Sequence, residues 1–143
     1  EAFGWFALGT MPSDPTDTRE VEGITYFRVD HPDFDTLAGL RGYLKGLFSD
    51  ALVEQLLPYD GKQYLDLDGK LYVQDGGRGA DVTKGAEMVQ VLSGEDPGRR
   101  TVRVSVEVLD PEQDYAVVDT LVYDFPYELV GNRWIFTSFS MVR

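Results

Sequence analysis

Arg100-Thr101-Val102-Arg103-Val104-Ser105-Val106-Glu107-Val108-Leu109 puts a valine at every second position and Arg103, Ser105 and Glu107 between them. A period of two over this length is the signature of a β-strand with one face on a core and the other toward water. Tyr115–Val130, rich in β-branched and aromatic residues, reads as a second long strand. Arg133–Val142 reads as a third, setting Trp134 and Phe136 against Ile135, Thr137 and Phe139. Asp110–Asp114 and Gly131-Asn132 make the two connections, so the last third of the chain is predicted as three antiparallel strands.

Working toward the N-terminus, Glu87–Leu92 is a further strand, joined to the valine strand through the turn Ser93–Gly98. Tyr64–Val73 reads as a tight hairpin turning at Asp68-Gly69, because Asp-Gly supplies the left-handed backbone that a two-residue turn needs. Ile24–Val29 is another strand, ended by Asp30-His31-Pro32-Asp33. Helical spacing governs the region between. Leu37, Leu40, Leu44, Leu47 and Phe48 form one stripe behind a cap at Asp35 or Thr36. A shorter helix starts at Ser49 or Asp50, carries Leu52, Val53, Leu56 and Leu57, and stops at Pro58. Gly39, Gly42 and Gly46 in the first of these helices fit either close approach of another backbone or flexibility. Glu1–Leu8 reads as a short aromatic helix and Thr10–Arg19 as a polar loop.

These elements predict a single α+β domain over residues 1–143, with N-terminal helices packed on one strongly bent antiparallel sheet, cystatin/NTF2-like in outline. The expected core comprises Trp5, Phe6, Leu40, Leu44, Leu47, Leu56, Leu71, Val104, Val106, Val122, Trp134 and Phe136. A register slip of one residue would exchange the faces of any strand in that assignment.

The 143 residues carry a net charge of −12, contain no Cys, and are 43% hydrophobic. That hydrophobic content excludes a disordered chain. The charge disfavours nucleic acid and anionic membrane surfaces and favours a basic protein as partner, although solubility alone accounts for many acidic surfaces. The absence of thiols excludes a disulfide framework, an iron–sulfur cluster and a thiolate zinc site. No run approaches the ~20 apolar residues of a membrane-spanning helix. The chain opens at Glu1-Ala2-Phe3-Gly4-Trp5-Phe6 without an initiator Met. We expect a truncated or processed form, a start compatible with a removed signal or lipoprotein leader.

No motif carries recognisable chemistry. His31, the sole histidine, sits among Asp30, Asp33 and Asp35, where capping of the following helix is a better reading of the acids than a metal or catalytic role. Asp66-Leu67-Asp68-Gly69-Lys70 echoes a calcium loop, but the twelfth position is Gly77 rather than Glu, so a hairpin is the better reading. Gly76-Gly77-Arg78-Gly79 lacks the Lys-Ser/Thr ending of a phosphate cradle. The glycine-rich loop Asp75–Gly85 is still the first choice for a partner-facing surface, through Asp75, Arg78, Asp81 and Lys84. Asp119 and Asp124 lie inside strand sequence, five residues apart, and so point to opposite faces. No catalytic residues, metal or cofactor are assigned.

Several stretches together resemble one family. They are Trp5-Phe6, Thr36–Leu57 (with Leu40, Tyr43-Leu44, Phe48-Ser49 and Leu56-Leu57), Asp68-Gly69-Lys70-Leu71-Tyr72-Val73, Val89–Leu92 and Trp134-Ile135-Phe136-Thr137-Ser138-Phe139. In this order they are similar to the IseA-type inhibitors of DL-endopeptidases, exported bacterial proteins that restrain cell-wall hydrolases of the NlpC/P60 class. Asn132-Arg133 precedes Trp134 where the family has Gly before Trp. The resemblance implies a non-enzymatic inhibitor in the extracellular space or cell envelope, its partner a basic cell-wall hydrolase domain; the chain itself is expected to be a monomer. Loops Asp75–Lys84 and Glu95–Pro97 are then expected to occlude the hydrolase groove, adding Glu95 and Asp96 to the contact residues. A rival expectation is an NTF2-like cone holding a small molecule, with Asp119 or Asp124 as base and Tyr115 or Tyr123 as hydrogen-bond donor. A purely structural envelope domain is the third.

Overall fold

A computed structural model describes residues 1–79 and 81–143. It corrects the expectation of N-terminal helices packed on one bent sheet: the protein is 46% strand and only 16% helix, arranged as two separate antiparallel sheets. The described residues cluster into two compact units, Glu1–Arg78 and Gly79–Arg143. Among the described residues no helix is long and apolar enough to cross a membrane.

The first unit contains α1 (Gly4–Ala7), β1 (Ser13–Val21), β2 (Ile24–Val29), α2 (Leu37–Lys45), α3 (Asp50–Leu56), β3 (Tyr64–Leu67) and β4 (Lys70–Gln74). Its sheet has the order β1-β2-β4-β3. β1 overturns the loop read at Thr10–Arg19. Polar composition hid a strand that tolerates Pro15 because its pairing with β2 is irregular between Asp14 and Thr18. The turn into β2 is Glu22-Gly23, with φ of 52° and 79°, the two left-handed residues that a tight hairpin requires. Asp68-Gly69 does the same between β3 and β4, with φ of 52° and 74°, as its sequence predicts. β4 is central, and Leu71, Tyr72 and Val73 are all buried, so both sheet faces are covered there. On one side the Tyr72 hydroxyl donates to Asp17 at 2.9 Å while Arg19 lies over the ring.

The helices of this unit begin where side-chain oxygens meet free amides. Thr36, not Asp35, caps α2 by accepting from the Gly39 N–H at 3.1 Å. The Leu37 amide donates to Asp66 Oδ1 at 2.7 Å. The carboxylate that echoed a calcium ligand is therefore a second cap. Ser49 caps α3. Of the helical glycines, Gly39 sits where a Cβ would come within 3.0 Å of Phe34, whereas nothing lies within 4 Å of one at Gly42. Trp5, Leu40, Leu44, Val53 and Tyr64 are essentially inaccessible. Burial pushes the Tyr64 hydroxyl well above its ordinary pKa, and the group stays a neutral donor to the Trp5 carbonyl at 2.9 Å. Leu56, expected inward, is half-buried; Leu57 takes the buried place.

The second unit contains β5 (Lys84–Ser93), β6 (Arg99–Asp110), β7 (Ala116–Val130) and β8 (Arg133–Phe136), paired in that order. Val102, Val104 and Val106 are buried as their alternation requires, with Phe125 beside them, and Tyr123, Tyr127, Phe136, Phe139 and Val142 pack against this cluster. The third long strand is cut short. β8 ends at Phe136, and Phe139 in the following segment stacks on Phe125 at 4.3 Å. Val122, expected in the core, is 55% exposed. It pairs with Ser105 and so shares the face of Arg103 and Ser105, one register step from the valines.

Candidate functional site

The groove beside the β5–β6 turn brings together residues from both candidate sets, Glu95 and Asp96 with Asp124. It has a volume of about 380 Å³ and is lined by Leu92, Glu95, Asp96, Arg99, Arg100, Thr101, Asp124 and Pro126, among others. The turn is built from short-range bonds. Asp96 Oδ1 accepts from the Gly98 amide at 2.8 Å, and the Asp96 carbonyl accepts from the Arg99 amide at 3.2 Å. Glu95 and Asp96 remain exposed at its tip.

The flanking strands hold the groove's cations in place. Arg99 pairs with Glu128 at 2.9 Å, and Arg100 lies 4.5 Å from the Trp134 ring centroid. Arg103, opposite Asp124 in the β6–β7 ladder, reaches it through two bonds of 2.7 Å in the fork-to-fork geometry that guanidinium and carboxylate favour. Those bonds hold the Asp124 carboxyl below the usual carboxylate range and raise Arg103. Both side chains are 40–45% exposed, so the pair fixes geometry more than it adds stability. The folded pKa lies below the unfolded value of about 3.9, so the unfolded chain takes up this proton first as pH falls. The pair's contribution is complete above that value and is lost as pH drops through the folded one. We therefore expect the Asp124 carboxyl carbon to titrate by NMR below the ordinary range, and Arg103→Met to return it there. A midpoint unmoved by that substitution would show that the ion pair does not set it.

The glycine-rich loop divides between the two units, and its residue 80 lies outside the described residues. Asp75 and Arg78, both exposed, belong to the first. The Arg78 amide donates to the Leu8 carbonyl at 3.0 Å. A Cβ on Gly77 would stand 2.5 Å from that same oxygen, and one on Gly9 (φ +70°) 2.7 Å from the Gly76 carbonyl. These glycines therefore serve backbone-to-backbone packing. Asp81 and Lys84 belong to the second unit. The Asp81 carboxylate accepts from the Thr83 amide and hydroxyl at 2.9 and 2.6 Å, shaping the entry to β5, whose first residue is Lys84.

The rival small-molecule residues do not converge. Asp119 pairs with Val108, while Asp124 pairs with Arg103 on the other face. Tyr123 stands on the valine face parallel to Phe125, and Tyr115 is 51% exposed with φ of 57°. The two-sheet architecture also lacks the single bent sheet of a cone. His31 accepts from the Asp33 amide at 3.2 Å and stacks on Phe34 at 4.3 Å, which makes it part of an aromatic cluster. Among the described residues, no three His, Cys, Asp or Glu gather in a way that could hold a metal ion. The arginines are what the sequence reading missed. Arg99-Arg100 is a dibasic pair in an acidic chain, just after a turn, and that local contrast was the available signal. No protein-family model matches this chain, and no curated protein matches it in sequence.

Proposed function

We propose that this chain is a non-enzymatic envelope protein that binds and inhibits a peptidoglycan DL-endopeptidase of the NlpC/P60 class. The observation that carries the proposal is the exposed acidic tip of the β5–β6 hairpin, Glu95 and Asp96, presented on an arginine-braced ladder beside a groove. Binding residues concentrate on loops that a rigid scaffold positions, and here the scaffold is a continuous antiparallel ladder. The family resemblance of the Trp5-Phe6, Thr36–Leu57, Asp68–Val73 and Trp134–Phe139 stretches supplies the partner class. A net charge of −12 suits a basic catalytic cleft, chiefly by accelerating encounter. Extracellular or envelope localisation follows from the same resemblance.

The test is digestion of peptidoglycan by such an endopeptidase while this chain is titrated in at low and moderate salt. Inhibition should rise with dose and weaken with salt. The double variant Glu95→Lys, Asp96→Lys should slow association by about tenfold or more at low salt. Absence of both inhibition and calorimetric binding would overturn the proposal. Undiminished inhibition by the double variant would remove the hairpin tip from it.

A further inference from the structure

β5 is an edge: β6 pairs with one side of it, and among the described residues no strand pairs with the other. Natural edges of this length are blunted by proline, bulges or inward-pointing charge. β5 has none of these over Met88–Leu92, since its ladder irregularity lies between Lys84 and Glu87. Met88, Val89 and Val91 are 56–60% exposed. The opposite edge, β8, is only four residues long.

The geometry points to a second copy of this chain, joined edge to edge through β5 in an antiparallel pair about a two-fold axis at Gln90. The sequence is complementary to itself in that register. Val89 falls opposite the partner's Val91 and Met88 opposite the partner's Leu92. Glu87 falls opposite the partner's Ser93, which is neutral, the last pair inside the regular ladder. No like charges are juxtaposed over Glu87–Ser93. Within each copy Val91 pairs with Val102 and Val89 with Val104. The apolar row Phe125–Val102–Val91 therefore runs on into the partner's Val89 and the partner's Val104. Such an isologous contact uses one edge from each copy and closes, so it yields a dimer and not a fibre. Two bodies of net charge −12 repel, so salt should strengthen this contact, the reverse of its effect on an acidic inhibitor meeting a basic enzyme. The inference is independent of the proposed inhibition.

Sedimentation of the full chain over a concentration series tests it, together with a cysteine probe that the thiol-free sequence makes specific. Directly opposed residues in an antiparallel pair have Cα atoms about 4.5–5.5 Å apart, within the span of a disulfide. Gln90→Cys should oxidise to a covalent dimer, whereas Tyr59→Cys, 82% exposed in the other unit, should not under the same conditions. The variant Val89→Lys, Val91→Lys should weaken dimerisation more than tenfold. A single monomeric species at every concentration would overturn the inference, as would crosslinking at Gln90 no faster than at Tyr59. Amides of β5 that resist hydrogen exchange in a sedimenting monomer would assign the edge to a cover within the chain. Protection gained only on adding an endopeptidase would assign it to that enzyme. Either result would also overturn the second-copy reading.

Discussion

Trp5→Ala is expected to cost the first unit about 3–5 kcal/mol, the usual loss when a fully buried large aromatic is truncated. Trp5 is 1% exposed and sits within 5.2–5.8 Å, centroid to centroid, of His31, Phe34 and Tyr43. Its truncation leaves three rings facing a void rather than one contact missing. Its backbone carbonyl also receives the Tyr64 hydroxyl, so relaxation of α1 into the void would put that hydrogen bond at risk. Trp5→Phe should cost less than half as much. The indole N–H is buried without a hydrogen-bond partner among protein atoms, and phenylalanine removes that group along with the lost volume. The chain's two tryptophans fall one in each unit. In Trp5 variants the remaining emission therefore reports the second unit, while far-UV dichroism reports both. Urea unfolding followed by the two signals measures the prediction. A Trp5→Ala loss below about 1 kcal/mol would mean that the aromatic cluster is not the keystone its burial implies.

Local chemistry made much of the fold legible. Valine alternation located β6, Asp-Gly located the β3–β4 turn, and leucine spacing with Ser/Thr located α2 and α3. Each of these signals is short-ranged, so each survives without knowledge of the rest of the chain. What could not be read was which strands share a sheet. Nothing local in Ile24–Val29 or Tyr64–Val73 says that they pair with each other, in a sheet separate from that of the valine strand. β1 was missed for a related reason. Asp14, Pro15, Thr16 and Asp17 read as loop, and only pairing with β2 makes a strand of them. Val122 failed by a single step, because β-branched residues occupy both faces of β7 and its alternation does not identify the inner one.

The candidate site was half legible. Asp110–Asp114 was identified as the β6–β7 connection, and counting outward from it along both strands brings Arg103 close to Asp124. The bulge between Val108 and Leu109 shifts that count by one residue, and no local signal announces it. Glu95 and Asp96 enter the candidate set because Glu95–Pro97 is one of the longest polar connections adjoining the sheet, the kind of segment where binding residues concentrate. The role of Arg99 and Arg100 depends on Glu128 and Trp134, each nearly thirty residues or more away in sequence, which only strand order brings near.

Phe125→Ala is expected to remove a large fraction of the second unit's stability. Four buried side chains form its central cluster, and Phe125, 4% exposed, is the only aromatic among them. At 0.05–0.15 kcal/mol per residue, a unit spanning 79–143 has a margin of about 3–10 kcal/mol. Loss of a buried phenylalanine removes about 3–5 kcal/mol of that. The damage extends beyond the void, because the Phe125 ring is the platform on which Phe139 stacks. Without it, the segment after β8 loses an anchor, and Val102, Val104 and Val106 lose part of their cover. Phe139→Ala should do less, since that side chain is only half-buried and Phe125 stays in contact with its strand neighbours. Emission from Trp134 in a Trp5→Phe background gives the measurement, with the midpoint of Phe125→Ala expected well below that of Phe139→Ala. The reverse order would mean that the C-terminal segment, and not the β6–β7 ladder, contributes most to the stability of this core. Equal and small losses would place the unit's stability in its hydrogen-bonded ladder rather than in the packing of its one covered face.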